Sequence, residues 1–287
     1  MRVKFTEVNG IPTRYYHEGD GGPPLMLVHG AGISADAWLR NVDALARHFT
    51  VVAPDTLGQG FTGIGNFSSG APQPHFVAHL KGLADQVGFD RFAMCGSSFG
   101  AMLCILSYFD MPDRIAKLIL ISSGSATLAE EEMLKSIQGA YKNGLSAMDQ
   151  PDFDACRARL GRINHYPERI PDELVWMQVT LYARTNVRDN YKQIMEGLMD
   201  LEACRPYRVA ERLDQVKVPT LMVWGMNDPR VIYQRAVEAA DKIPNSTLVG
   251  IDECGHQPHI EVPDRFNELA RRFLQDETIE DDRIKAA

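Results

Sequence analysis

Short apolar runs recur along the chain: LMLV (25–28), TVVA (50–53), FAMC (92–95), LILI (118–121), LMVW (221–224) and TLVGI (247–251). Each run is continuous rather than alternating, the pattern expected of strands covered on both faces. Ahead of them, VKFTEV and TRYYHE flank Asn9-Gly10 and predict an opening hairpin. Stretches with helical periodicity lie between the runs, at 37–49, 76–87, 99–109, 231–242 and 264–275. Strand–helix alternation of this kind predicts an α/β domain around a mostly parallel sheet with flanking helices.

One segment breaks the rhythm. From about Ala126 to Leu213 the text is charged and helix-like, as in LAEEEMLKSIQGAYKNG and DELVWMQVTLYARTNVRDNYKQIMEGLM, and no buried strand is evident. It is too long for a plain connection. The expectation is a helical cap over 126–213 inserted into a core made of 1–125 and 214–287. Thr62–Pro74 is rich in Gly, Ser and Pro and predicts a surface loop; DETIEDDRIKAA predicts a solvated end.

Composition narrows the class without naming a chemistry. The 287 residues are 45% hydrophobic and 24% charged, and the net charge is −8 with no Lys/Arg-rich run. Nucleic acid and anionic membrane are therefore not expected partners. The opening stretch lacks an apolar h-region, and no apolar run approaches the ~18 residues of a span, so neither signal peptide nor membrane helix is expected. Cys95, Cys104, Cys156, Cys204 and Cys254 are scattered and odd in number, which fits reduced thiols in a cytoplasm better than a disulfide framework.

The chemistry gathers around MCGSSFGAM (94–102). A serine hydroxyl is a weak nucleophile and needs a base, a group to orient that base, and an oxyanion site. The G-x-S-x-G pattern of a strand-to-helix elbow fits only with Ser98 at its centre; Ser97 becomes a neighbouring hydroxyl of the pocket. The alternative is a Ser-rich turn, but an apolar run precedes the motif and a helix-competent run follows it. In the order that goes with this elbow, the base comes last. His256 follows the final strand run, whereas His259 stands at the edge of helical text and is expected to be structural. Asp228 follows LMVW and is the candidate orienting acid; the loop after LILI offers no carboxylate before Glu130. Asp252 and Glu253 read as loop-stabilising groups. Backbone N–H donors for an oxyanion are expected from Phe99 and from His29-Gly30-Ala31-Gly32, with Ala31 the first choice and Gly32 its rival. Cys254, His256 and His259 could suggest zinc, but Pro258 and the absence of a second ligand cluster argue against a metal, and no cofactor is expected. The loop Asp55–Gly60 lacks dinucleotide-binding spacing and reads as a strand-end turn held by local hydrogen bonds of Asp55.

With HGAG, PDTLGQG, CGSSFG, WGMND and CGHQPHIE in this order, the chain resembles the α/β-hydrolase-fold serine hydrolases over nearly its whole length. The resemblance places the cap between the sixth and seventh core strands. Within that family the cap text IPDELV, the HGAG…W opening and the CGH context resemble hydrolases that cleave carbon–carbon bonds in ring-fission products of aromatic degradation. Three positions depart from that subgroup: Ser97 replaces its asparagine, Gln257 its tryptophan, and Gln178 its carboxylate-binding cap arginine, with Arg184 or Arg188 as possible substitutes. Gln178 and Gln257 are accordingly candidate pocket residues beside Ser97 and Gly32. The absent arginine tips the expected substrate of this serine hydrolase toward a small, partly apolar ester or lactone, with a vinylogous diketone as the alternative. A non-catalytic ligand receptor on the same fold, and a cofactor-free oxygenase, are further alternatives. A small molecule is the expected partner, and a homo-oligomer is possible.

Overall fold

A computed structural model describes residues 1–281. All eight expected strands form: β1 (Arg2–Val8), β2 (Ile11–Glu18), β3 (Pro24–Val28), β4 (Thr50–Pro54), β5 (Phe92–Ser97), β6 (Ile115–Ile121), β7 (Thr220–Gly225) and β8 (Ser246–Ile251). They make one sheet in the order β1-β2-β4-β3-β5-β6-β7-β8. β1 and β2 run antiparallel to each other, and β2 is antiparallel to β4; every other pairing is parallel.

The continuous apolar runs follow from burial on both faces. Along β5, Phe92 and Met94 join Met26, Val28, Leu118, Leu120, Met222 and Trp224 in one core. Their neighbours Ala93 and Cys95 join Leu25, Leu27, Ile119, Ile121, Leu221 and Val223 in the other. Successive side chains point to opposite faces, so a strand sandwiched between two helical layers has no polar side to show.

The helices are α1 (Val42–Leu45), α2 (Gln73–Gln86), α3 (Phe99–Asp110), α4 (Gly124–Thr127), α5 (Glu130–Met148) and α6 (Phe153–Gly161). They continue as α7 (Asp172–Tyr182), α8 (Val187–Met199), α9 (Leu201–Cys204), α10 (Tyr233–Ala240), α11 (Pro258–Glu261) and α12 (Pro263–Leu274). The helix expected over 37–49 is instead a 3-10 turn, Ala35–Trp38, followed by the single turn α1. Asn41 interrupts it: its amide donates to the His259 carbonyl (3.1 Å) and to Asn267 Oδ1 (2.9 Å), a tertiary anchor that outweighs local periodicity. Between β6 and β7 the described chain forms helices α4–α9 and short 3-10 turns, with no strand. This segment bears on the carboxyl end of the sheet: Tyr182 OH donates to Gly32 O, Arg184 to Gly60 O at 2.9 Å, and the His256 N–H to Ile163 O at 2.8 Å.

Two local readings change. Residues 62–72 are a loop, but Phe67 is buried within it and its carbonyl accepts from Gln193 of α8 at 2.7 Å. Asp55 is also more than a local turn residue. Fully buried, it accepts from Arg14 (2.7 and 2.8 Å) and from the Ala35 and Phe61 N–H groups, while Arg14 also pairs with Asp36 at 2.5 Å. This charge network ties β2 and β4 to the loops beside the site, and desolvation is offset by dense hydrogen bonding. Of the terminal stretch, 276–281 forms neither helix nor strand, and 282–287 lies outside the described residues.

Candidate active site

Parallel register brings the carboxyl ends of β3, β5, β7 and β8 into one region. Val28 pairs with Gly96, Ser97 with Ile121, Ile121 with Val223 and Gly225 with Ile251. The loops that follow these strands therefore meet above the sheet edge, where ligands of open α/β sheets bind.

Ser98 sits between β5 and α3 with φ 54° and ψ −117°, a strained backbone for a residue with a side chain. Its N–H donates to Ile121 O at 2.8 Å, and its carbonyl accepts from Ser123 Oγ at 2.7 Å, so the turn is held from β6. Glycine is required on either side. A Cβ on Gly96 would stand 2.4 Å from the Gly100 backbone, and one on Gly100 would stand 2.2 Å from Val28 O.

Ser98 Oγ lies 3.1 Å from His256 Nε2, and His256 Nδ1 lies 2.8 Å from Asp228 Oδ2. The other Asp228 oxygen accepts the N–H groups of Arg230 (2.8 Å) and Val231 (3.2 Å). With its carboxylate acceptor-only, Asp228 accepts a hydrogen bond from Nδ1–H, which leaves Nε2 free to accept from the serine hydroxyl. Phe99 N–H opens α3 and has no intrahelical acceptor, and Ala31 N–H has no protein acceptor among the described residues. The rival donor Gly32 is engaged: its N–H donates to Gln59 Oε1 at 2.5 Å, and its carbonyl accepts from Tyr182 and Gln178. Gly32 lies behind the site rather than in it, with Arg159 Nη2 and Tyr191 only 2.7 Å from where its Cβ would be. His29, neutral because burial lowers its pKa, accepts the Thr56 N–H at Nε2 (2.9 Å) and donates from Nδ1 to Gly30 O (2.7 Å), shaping the turn that carries Ala31.

The remaining sequence candidates divide. Ser97 and Gln257 line the space at Ser98; Gln257 Oε1 accepts from Asn164 at 2.9 Å. Gln178 does not face Ser98 directly; its Oε1 accepts from Arg159 Nη1 at 3.2 Å. Arg184 and Arg188, the suggested substitutes for a substrate-binding arginine, are turned elsewhere, to Gly60 O and to Asp149 on the surface. The cations at the site are Arg159 of α6 and Arg230 of the loop after β7, which both line the space at Ser98 with His256. Arg159 is 5% exposed. Sequence reading missed both, because α6 has no motif and Arg230 lies two residues past Asp228 with nothing local to reveal its direction.

Glu261 was also missed. One oxygen accepts the Gly255 N–H (2.9 Å), the other the N–H of His165 (2.7 Å), clamping the 163–166 stretch onto the loop of His256. His259 packs against Trp38, ring centroids 4.3 Å apart and tilted by 36°, with both ring nitrogens unpartnered, and burial holds its pKa down to about 3. It takes no part in the Ser98 contacts. Among the described residues, no group of three His, Cys, Asp or Glu side chains could hold a metal ion, and no helix is long and apolar enough to cross a membrane.

A family model for the alpha/beta hydrolase fold matches residues 23–263. The chain belongs to the α/β-hydrolase fold family. This α/β-hydrolase is 27% identical over 273 residues to a 2-hydroxy-6-oxononadienedioate/2-hydroxy-6-oxononatrienedioate hydrolase of Paraburkholderia phymatum, covering 92% of this chain and 91% of that one. It is 26% identical over 280 residues to a 2-hydroxy-6-oxo-2,4-heptadienoate hydrolase of Pseudomonas putida, covering 92% and 93%. Among solved structures, the 2-hydroxy-6-oxo-6-phenylhexa-2,4-dienoate hydrolase of Rhodococcus sp. strain RHA1 superposes with a TM-score of 0.80 at 21% identity, over 96% of this chain and all (100%) of that one. A lipase-like protein of Acinetobacter baumannii superposes at 0.83 and 22% identity, over 96% and 91%. The superpositions speak for the fold alone, since ring-fission hydrolase and lipase fit it equally well. The expected preference for an ester or lactone rested on a missing arginine. Two arginines line the space at Ser98, and the sequence relatives are named as hydrolases of 2-hydroxy-6-oxo-dienoates and -dienedioates, so the findings back the alternative better than the ester or lactone expectation.

Proposed function

We propose that this chain is a serine hydrolase that cleaves a carbon–carbon bond in a vinylogous diketone of the ring-fission type. The observation that carries the hydrolytic part is the Ser98–His256–Asp228 hydrogen-bonded chain at 3.1 and 2.8 Å. The names of the relatives support the substrate class.

In this reading Ser98 Oγ adds to the ketone carbon while His256 Nε2 takes its proton, and Asp228 holds the imidazole tautomer and stabilises the imidazolium. The N–H groups of Ala31 and Phe99 stabilise the oxyanion. A carbon leaving group is poor unless its electron pair is delocalised. The dienol must therefore first become the ketone by taking a proton at the carbon next to the scissile bond. The fragment then departs as a conjugated enolate that takes up the proton held on His256 Nε2, and the acyl group stays on Ser98 until water, deprotonated by the now neutral His256, releases it. The helical segment 126–213 serves as a cap that excludes bulk water. Ser97 and Gln257 shape the pocket.

Fluorophosphonate labelling followed by mass spectrometry, run beside a turnover panel of esters, lactones and vinylogous diketones, tests both parts. The expected result is labelling at Ser98 that Ser98→Ala abolishes, with the diketone favoured in kcat/KM. Turnover of esters alone returns the lactone or ester reading; labelling without any turnover points to a receptor.

A further inference from the structure

Two backbone N–H groups, of Ala31 and Phe99, serve the oxyanion, and a backbone donor is only as well aimed as the peptide plane that carries it. Both residues line the space at Ser98 and His256. The Gly30–Ala31 peptide runs close to the nucleophile: a Cβ on Gly30 would stand 3.3 Å from Ser98 Cβ. An N–H shares one rigid plane with the carbonyl of the preceding residue, and in a trans peptide the two point in opposite directions. Whatever holds the Gly30 carbonyl therefore aims Ala31 N–H, and whatever holds the Ser98 carbonyl aims Phe99 N–H.

On the Phe99 side, the Ser98 carbonyl accepts from Ser123 Oγ at 2.7 Å and from Ala101 N–H at 3.1 Å. Ser123 is buried, and it follows Ser122, whose φ of 44° puts a residue with a side chain in the left-handed region. The Ser122 hydroxyl is itself buried without a partner. Its strained backbone gains nothing for Ser122; it turns the next residue onto the elbow.

On the Ala31 side the hold passes through three side chains. Gln59, 3% exposed, accepts the Gly32 N–H at Oε1 (2.5 Å) and donates from Nε2 to Thr56 Oγ1 (2.8 Å). Thr56 turns its N–H (2.9 Å) and its hydroxyl (3.2 Å) to His29 Nε2. The imidazole proton then sits on Nδ1, which donates to Gly30 O at 2.7 Å. Both peptides that flank Ala31 are thus pinned, one at Gly30 O and the other at Gly32 N–H. Turning the Gln59 amide over would set its NH2 against the Gly32 N–H. The helices between β6 and β7 grip the same loop. Asn190 Nδ2 donates to Gly58 O (3.3 Å) and Arg184 Nη1 to Gly60 O (2.9 Å), the carbonyls on either side of Gln59.

We propose that Gln59 and Ser123 are positioning residues of the oxyanion site, holding the peptides of Ala31 and Phe99 so that both N–H groups converge on the oxygen of the carbonyl that Ser98 attacks. The proposal rests on Ser98 as nucleophile and is independent of the class of carbonyl compound attacked. Neither side chain needs to touch substrate. A hydrogen bond weakens steeply as its angle closes from linear, so a freed peptide loses hold of the oxyanion. The ground-state complex carries no full charge there and is little affected.

The test compares binding of 1,1,1-trifluoro-4-phenylbutan-2-one with that of 4-phenylbutan-2-one. Ser98 Oγ adds to the activated carbonyl carbon of the first, its proton passes to His256 Nε2, and the carbonyl π pair becomes the hemiketal oxyanion. The second lacks that activation and stays a ketone. Gln59→Met and Ser123→Ala should each weaken the trifluoroketone about 10–100-fold, at or below the ~10²–10³ that follows loss of a donor itself. Affinity for the methyl ketone should change less than twofold, and kcat should fall by the same factor as the trifluoroketone affinity with KM unchanged. With 13C at the carbonyl carbon, the pH at which the hemiketal oxyanion takes up a proton should rise by about one unit for each tenfold loss. Ser123→Thr keeps the hydroxyl and should stay near the parent in all three readouts. Thr56→Val, isosteric, probes the Ala31 arm should Gln59→Met fail to fold, with the same selectivity for the trifluoroketone expected. Equal loss of both ketones overturns the proposal, as does a Ser98 adduct whose affinity and protonation ignore these substitutions. An adduct absent from the parent protein, or one that persists in Ser98→Ala, overturns the nucleophile as well.

Discussion

Asp228→Asn isolates the tautomer argument. The Asp228 side chain is fully buried, with one oxygen on His256 Nδ1 at 2.8 Å and the other on two backbone N–H groups. An asparagine can satisfy only one of these. Turned so that its NH2 faces the Arg230 and Val231 N–H groups, it would set donor against donor at a buried site. Its oxygen therefore stays on the backbone pair, and its NH2 faces His256. The imidazole must then carry its proton on Nε2, where it points at Ser98 Oγ and cannot accept from it. Loss of the base in its working tautomer is expected to lower kcat by about 10³–10⁴, or about 4–5.5 kcal/mol of barrier, with KM little changed. The backbone caps survive, so the melting temperature should move by only a few degrees. Stopped-flow turnover of the preferred substrate measures kcat, and the downfield proton resonance of His256 Nδ1 reports the tautomer. An Asp228→Asn enzyme within tenfold of wild type, still showing that resonance, would refute the reasoning.

Further outcomes follow from the same geometry. Gly100→Ala places a Cβ 2.2 Å from Val28 O and should lower the melting temperature by at least ~5 °C and abolish labelling of Ser98, as seen by calorimetry and the fluorophosphonate probe. Glu261→Gln leaves either the buried N–H of Gly255 or the partly buried N–H of His165 unpaired; a loss of about 1–3 kcal/mol and faster amide exchange around 163–166 are expected. His259 and His79, buried with pKa values lowered to about 3 and about 4, stay neutral when folded but take up protons when unfolded. Below pH ~6.5 the unfolded state binds more protons, so each histidine removes up to about 1.4 kcal/mol of stability per pH unit until its folded pKa is reached. The His259→Phe protein should show a shallower fall in melting temperature from pH 6.5 to 4. Ser97→Ala should alter the substrate preference across the panel while Ser98 labelling persists.

The apolar runs settled the strands because a strand covered on both faces admits no polar alternation; β5 and β7, buried at every position, were legible for that reason. Ser98, Asp228 and His256 were legible because each follows such a run, and position after a parallel strand already implies the carboxyl edge. Nothing local could show that periodic text at 37–49 would break at Asn41, whose partners lie more than two hundred residues away. Tertiary structure alone decided which cations face Ser98. A guanidinium reaches several ångströms from its backbone, so its placement depends on how the helices between β6 and β7 and the loop after β7 pack over the sheet edge. Arg184 and Arg188 seemed placed by spacing yet turn away, while Arg159 and Arg230, unmarked in the text, converge. Chain order suffices for groups carried on strand ends. Groups on long side chains, whether on the helices between β6 and β7 or on the loop after β7, are placed by packing, which is a property of the whole molecule.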